Sequence, residues 1–300
     1  MVTNILEDPV KANTTYLALF IVRHFASCAT GLVNKKSAMR VPNGQPLALS
    51  LATMYDLIGL RFRGGYISIE GSLIQSIGQQ STEQHVPAEY RRNKDERDSA
   101  RISKKEKSLR QQEGGQHFHM TFISPPELKQ LVRTYPPLQD IESHKKKATL
   151  MSHIMEMMGD AQSWELPLDL GLGRVRDQES EAFFHVVYWP YGQGIRAKLG
   201  LTPTPFFHIT VGFMPKDVHD VDKGLATLLI LNGQGEDWEL QRLVELAHHF
   251  TQDWQFFSRL IQQCEQRPHL GLKYYINELY KRAMTAPDMS IEPAEQPSNS

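Results

Sequence analysis

The chain of 300 residues is long enough for one large domain or two modest ones, and 40% hydrophobic with 22% charged residues is ordinary for a globular protein. A formal net charge of -1 excludes a general attraction to nucleic acid or membrane, so anion binding has to come from local patches. The two cysteines, Cys28 and Cys264, fit neither a zinc-ligand pattern nor a disulfide framework, and an intracellular location, cytoplasmic or nuclear, is expected.

In chain order, the first residues lack the basic start of a signal peptide and the Arg-rich character of a transit peptide. The apolar run Tyr16 to Val22 stops at Arg23-His24, far short of a membrane span, and reads as a buried segment. Pro46 to Leu60 reads as a helix with Leu47, Leu49, Leu51, Met54, Leu57 and Leu60 partly in register, and Gly64-Gly65 ends that pattern. Tyr66 to Glu70 alternates as a strand does. From Tyr90 to Leu109 the composition turns polar; Arg91 to Arg110 holds nine basic and four acidic side chains, and an exposed loop or hairpin is expected.

His117 to Ile123 returns to strand alternation, and Ser124-Pro125-Pro126-Glu127 then opens a helix, with proline in its first turn and an acidic residue at its positive end. Met151, Met155, Met157 and Met158 mark a helix packing surface. Ala182 to Trp189 is rich in β-formers and stops at Pro190; a short helix over Gly194 to Leu201 and a strand over Phe206 to Phe213 follow. Asp217 to Asp222 does not match a calcium loop and reads as a polar helix start after Pro215. Beyond Trp238 the period is helical: Leu240, Leu243, Val244 and Ala247 form one stripe and Leu272, Tyr275, Ile276 and Leu279 another, separated at Pro268. The tail after Pro287 has the composition of a disordered segment.

One motif occurs twice. Phe118-His119-Met120-Thr121-Phe122 and Phe207-His208-Ile209-Thr210-Val211 each set His and Thr two apart between apolar neighbours. On a strand, residues two apart share a face, so each segment offers an imidazole beside a hydroxyl and turns hydrocarbon the other way. With 12 histidines and threonine at roughly one residue in twenty, about 0.6 His-x-Thr triplets are expected by chance, and roughly 0.1 once apolar flanks are required. Two copies in strand context therefore point to chemistry. One neutral imidazole can take a proton from water, a second can give one to a leaving oxygen, and hydroxyls can hold phosphate oxygens. Two imidazoles, from His119 and His208, and two hydroxyls, from Thr121 and Thr210, suit phosphoryl chemistry and need no metal or other cofactor.

These two segments resemble the paired His-x-Thr/Ser signature of the 2H phosphoesterase superfamily. Val86-Pro87-Ala88-Glu89-Tyr90-Arg91-Arg92-Asn93-Lys94-Asp95 and the stretch Arg196 to Asp222, with Leu199-Gly200-Leu201 ahead of the second motif, resemble its Swiss Army Knife-like RNA-repair branch. The resemblance implies an α+β fold, bilobal, with two antiparallel sheets flanking a central cleft. It also implies opening of a 2′,3′-cyclic phosphate or a cyclic nucleotide, with His119 and His208 as acid and base and Thr121 and Thr210 as phosphate clamps, and it covers residues 62–232. Residues 1–61 are then an N-terminal extension, 233–286 a C-terminal helical region and 287–300 a tail.

Other groups come with plainer readings. His117 shares the face of His119 and could reach the mouth of a cleft; Arg92 and Lys94 could guide a polyanion, although charge runs are usually solvated; Arg196 could touch phosphate or form a surface ion pair. His185, among aromatic residues, is expected to be packed. The expected partners are an RNA end or cyclic nucleotide, with no membrane. Two other classes fit the same residues: a nucleotide-binding module without turnover, and a protein that docks a partner through its C-terminal helices.

Overall fold

The computed structural model describes residues 57–63, 65–80, 82–100, 117–160 and 163–285, which fall within the unit Leu49–Ser300. The expectations for Tyr16–Val22, for most of the Pro46–Leu60 helix and for the tail lie outside the described residues. The elements run β1 (Gly59–Phe62), β2 (Ile67–Glu70), α1 (Ser72–Gln79), α2 (Thr82–His85), α3 (Ala88–Ala100), β3 (Met120–Ile123), α4 (Pro125–Thr134) and α5 (Lys146–Met158). They continue with β4 (Leu168–Arg176), β5 (Glu181–Tyr188), α6 (Pro190–Lys198), β6 (Phe207–Met214), α7 (Asp237–Leu246), α8 (Trp254–Gln266) and α9 (Leu272–Thr285), with short 3-10 turns between some of them.

The fold is α+β, with two three-stranded antiparallel sheets in the orders β1-β2-β3 and β4-β5-β6. Each His-x-Thr segment lies in or against the outermost strand of its sheet, and β3 and β6 pack on one another. The contact is aromatic: Phe122 stacks on Phe207 at 6.3 Å between ring centroids, and Trp189 sits 5.8 Å from each. Because strand side chains alternate, pairing Phe122 with Phe207 in a common core turns the intervening His and Thr positions to the opposite faces of their strands. Phe118, Met120, Phe122, Phe207, Ile209 and Val211 are buried, whereas His119, Thr121, His208 and Thr210 are half-buried.

Four expectations need correction. Gly59 and Leu60 end no helix; they pair with Glu70 and Ile69 across a turn closed by Arg63 N–H to Tyr66 C=O at 2.9 Å, and the hairpin outweighs a stripe only partly in helical register. β4 was not anticipated, since Gly171 and Gly173 interrupt its apolar run. Between the two expected C-terminal helices lies a third, α8. The fourth correction concerns the basic segment, whose first half is the helix α3; residues 101–116 lie outside the described residues.

α3 defeats a pattern based on hydrophobicity because the side chains it buries are polar. Asn93, Lys94, Arg97 and Asp98 follow the i, i+1, i+4, i+5 spacing of one helix face. Lys94 is 2% exposed; its ammonium donates to Asp98 at 2.8 Å and to the His117 carbonyl at 3.0 Å, and it lies 4.7 Å over the Phe118 ring. Arg97 lies 4.2 Å over Phe213 and donates to Asp217 at 3.2 Å, while Asn93 donates to the Phe213 and Pro215 carbonyls. Thus one turn of α3 grips both motif segments. Gly212 makes the approach possible, because a Cβ there would stand 2.8 Å from Val86 and 3.1 Å from the Tyr90 backbone. Lys94→Met should cost about 1.5–3 kcal/mol, since it takes a charged donor from Asp98 and from the His117 carbonyl while Arg97 stays beside the carboxylate. Urea unfolding measures this, and adding Asp98→Asn should recover part of the loss; an unchanged midpoint in the single variant contradicts the account.

The C-terminal helices share a core with the second sheet. Phe184 and Val186 on β5 lie opposite Thr210 and His208 on β6, on one face of the sheet. That face packs with Leu240, Leu243 and Val244 of α7, Phe257 and Leu260 of α8 and Ile276 of α9. An ionic network reinforces it: Arg242 of α7 pairs with Asp169 at 2.7 Å, and His185 meets Asp169 at 3.0 Å and the Gln80 carbonyl at 3.1 Å. His185 is therefore packed and hydrogen-bonded, as its aromatic neighbours suggested. No helix among the described residues is long and apolar enough to cross a membrane.

Candidate active site

The first half of the site is built on β2, β3 and α3. Register opposes Thr121 to Ser68, and His119 sits just ahead of β3 with the Tyr66 hydroxyl 3.4 Å from its Nε2 and the Tyr66 ring tilted against it at 5.6 Å. Burial pulls the His119 imidazole down to about 4, with the Asp98 carboxylate opposing that shift and Lys94 adding to it. Asp98 is itself held low: burial alone would raise it, but the ammonium of Lys94 and the guanidinium of Arg97 outweigh that. A carboxylate anion therefore lies close to His119. The Thr121 hydroxyl makes no hydrogen bond within the described residues, so it is free to donate to a ligand oxygen.

The second half is built on β6 and the loop that follows it. Lys223, 8% exposed, places its ammonium 3.5 Å from Nε2 of His208 and 3.3 Å from Asp217, with the Phe184 ring 5.1 Å below. The Thr210 hydroxyl donates to the other Asp217 oxygen at a long 3.5 Å, and Arg97 reaches that oxygen at 3.2 Å. Burial and then the charge of Lys223 take His208 down to about 3, with Asp217 opposing. The Asp217 carboxyl stays low because Lys223 and Arg97 overcome the effect of burial, and the Lys223 ammonium is lowered by burial despite its Asp217 partner.

Both imidazoles are thus neutral near neutral pH. Around them stand two hydroxyls, one ammonium and one phenol, an array suited to an oxyanion flanked by a proton acceptor and a proton donor. No group of three or more His, Cys, Asp or Glu side chains disposed to hold a metal occurs among the described residues.

The auxiliary candidates are placed differently. His117 points to Glu70, 3.0 Å from its Nε2, within a cluster with Arg63 and Gln75, and its carbonyl receives Lys94. Glu70 is depressed far below the usual carboxylate range: burial pushes it up, but hydrogen bonds from His117, Arg63 and Ser68 prevail. Lys94 is a buried support for the first motif rather than an accessible phosphate guide. Arg92 is exposed, roughly opposite Lys94 around the helix. Arg196 is buried and committed to Glu127 at 2.5 Å and to the Phe122 carbonyl at 2.6 Å, and it also donates to Thr202 and Thr204. It ties β3 to the loop before β6; a surface ion pair or phosphate contact does not describe it.

Sequence reasoning missed Tyr66, Asp98, Asp217 and Lys223. The expected helix start over Asp217 to Asp222 is instead an irregular loop with Asp220 in the left-handed region, and this backbone turns Asp217 and Lys223 inward. Tyr66 had one usable signal, its position at the start of a strand paired with the first motif.

Residues 65–219, slightly more than half of the chain, match the family described as Swiss Army Knife, 2H phosphoesterase domain. No curated protein and no solved structure matches.

Proposed function

The chain belongs to the Swiss Army Knife 2H phosphoesterase family, and on that premise we propose that it hydrolyses a cyclic phosphodiester, at a 2′,3′-cyclic RNA end or in a cyclic nucleotide, in RNA processing or repair. The observation that carries the reading is the pair of half-buried His-Thr sets on two edge segments whose strands, β3 and β6, pack on one another.

The surroundings favour a division of labour. Next to burial, the strongest influence on His119 is Asp98, which favours a proton there; on His208 it is Lys223, which disfavours one. In the singly protonated pair, His119 is the general acid and His208 the general base. His208 removes a proton from water, the water oxygen attacks phosphorus, and the bond from phosphorus to one ribose oxygen breaks as His119 gives that oxygen its proton. Thr121 and Thr210 donate to the non-bridging oxygens, and the Lys223 ammonium balances their charge. The product is a phosphomonoester beside a free hydroxyl.

The direct test is incubation with 2′,3′-cyclic nucleotides and cyclic-ended oligoribonucleotides in EDTA. Turnover is expected; its absence across the panel defeats the enzyme reading, and tight binding without turnover indicates a nucleotide-binding module.

A pH signature follows. Free-enzyme values of about 4 and about 3 mean that the singly protonated pair becomes scarce as pH rises above about 4. A bound phosphodiester anion favours the imidazolium and so moves the acid upward. The descending limb of kcat/KM should therefore lie at lower pH than that of kcat, because the first reports free enzyme and the second the complex. Superimposed limbs are the contrary result.

A further inference from the structure

The catalytic face of β6 leads to a second feature, formed where the C-terminal helices meet the sheet. Phe206 stands two residues ahead of His208, about 7 Å along an extended chain and on the same side. Its ring lies 6.2 Å from Tyr188, the β5 residue following Val187, which pairs with Phe207. It also abuts Gly224, where a Cβ would come within 3.1 Å of it, and Gly224 follows Lys223, whose ammonium reaches His208.

Phe206, His249, Phe250 and Trp254 line an open groove of about 390 Å³ together with the exposed amides of Gln252 and Gln255. Trp254, in the first turn of α8, is 62% exposed. No lysine or arginine lines the groove and Asp253 does, so a second phosphate does not suit it; a flat, neutral ring with polar edges does. The His249, Phe250 and Trp254 walls lie outside residues 65–219, so the groove belongs to this chain's own C-terminal region rather than to the matched domain.

We propose that this groove is a base subsite, in which a nucleobase stacks on Trp254 and its aromatic neighbours while its phosphate sits between His119 and His208. The inference rests on the phosphoesterase reading of that site. Stacking of this kind tolerates any base, because every base presents a π-face.

The test uses the full chain, adenosine 2′,3′-cyclic phosphate and the base-free glycerol 1,2-cyclic phosphate. Trp254→Ala should reduce the preference for the nucleotide over the base-free substrate by roughly 5- to 150-fold, expressed in KM. A preference unchanged by the substitution overturns the proposal. Should neither compound turn over, titration with adenosine separates the two readings. Quenching of tryptophan fluorescence in the wild type that is lost in Trp254→Phe retains the base subsite while the phosphoesterase reading fails; no Trp254-dependent quenching rejects the subsite as well.

Discussion

Replacement of either His119 or His208 by alanine is expected to lower kcat/KM for a cyclic phosphodiester by about 10²–10⁴-fold, the range for loss of a positioned acid or base. The double variant should be little worse than the weaker single one, since neither imidazole completes the reaction without the other. The leaving group separates their roles. A p-nitrophenolate departs without protonation, so a p-nitrophenyl phosphodiester should recover much of the activity lost in His119→Ala and little of that lost in His208→Ala. The opposite pattern reverses the acid and base assigned from Asp98 and Lys223, and wild-type turnover in both variants removes the site altogether. Circular dichroism controls for folding, which both half-buried substitutions should preserve.

Ending the chain after Leu231 should abolish cooperative unfolding altogether. The cut removes α7, α8 and α9 and bares the side of the second sheet on which Phe184 and Val186 pack. It also takes Arg242 from Asp169, a buried carboxylate held far below its usual range: burial raises it, and Arg242 and His185 reverse that. Losing one partner of a buried pair costs about 3–5 kcal/mol, and each large core side chain removed costs a further 2–5 kcal/mol or so. A few such losses exceed the roughly 5–15 kcal/mol that holds a domain together. Loss of a sigmoidal thermal transition and exposure of dye-binding surface are the expected readouts. A truncated chain that melts sharply and keeps its activity would make the helices a separable docking appendage.

The legible parts of this protein were those where chain periodicity carries the information. Alternation around His119 and His208 fixes a face before any partner is known, because a strand allows only two. Proline in the first turn and Glu127 at its positive end announced α4, and in the structure Glu127 also accepts from the Ser124 backbone N–H at 2.8 Å. The two C-terminal stripes at Leu240 and Leu272 gave their helices a buried side but could not say against what, since an amphipathic pattern specifies a face and not its partner. α3 was hidden because Lys94 and Asp98 neutralise each other in a place where a pattern expects leucine. Asp217 and Lys223 were hidden for another reason: an irregular backbone turns them inward, and no period describes it. The second half of the site is therefore assembled by geometry that only folding reveals.

The grip of α3 on both motif segments bears on how the cleft can move. Lys94 and Arg97 are three residues apart on a rigid rod, a rise of about 4.5 Å, and they anchor the two sides of the reaction centre. The gap between the imidazoles is thereby gauged by a spacer of fixed length and not by a hinge. On the proposed reading, a cleft braced in this way is expected to keep one width with and without a bound ester.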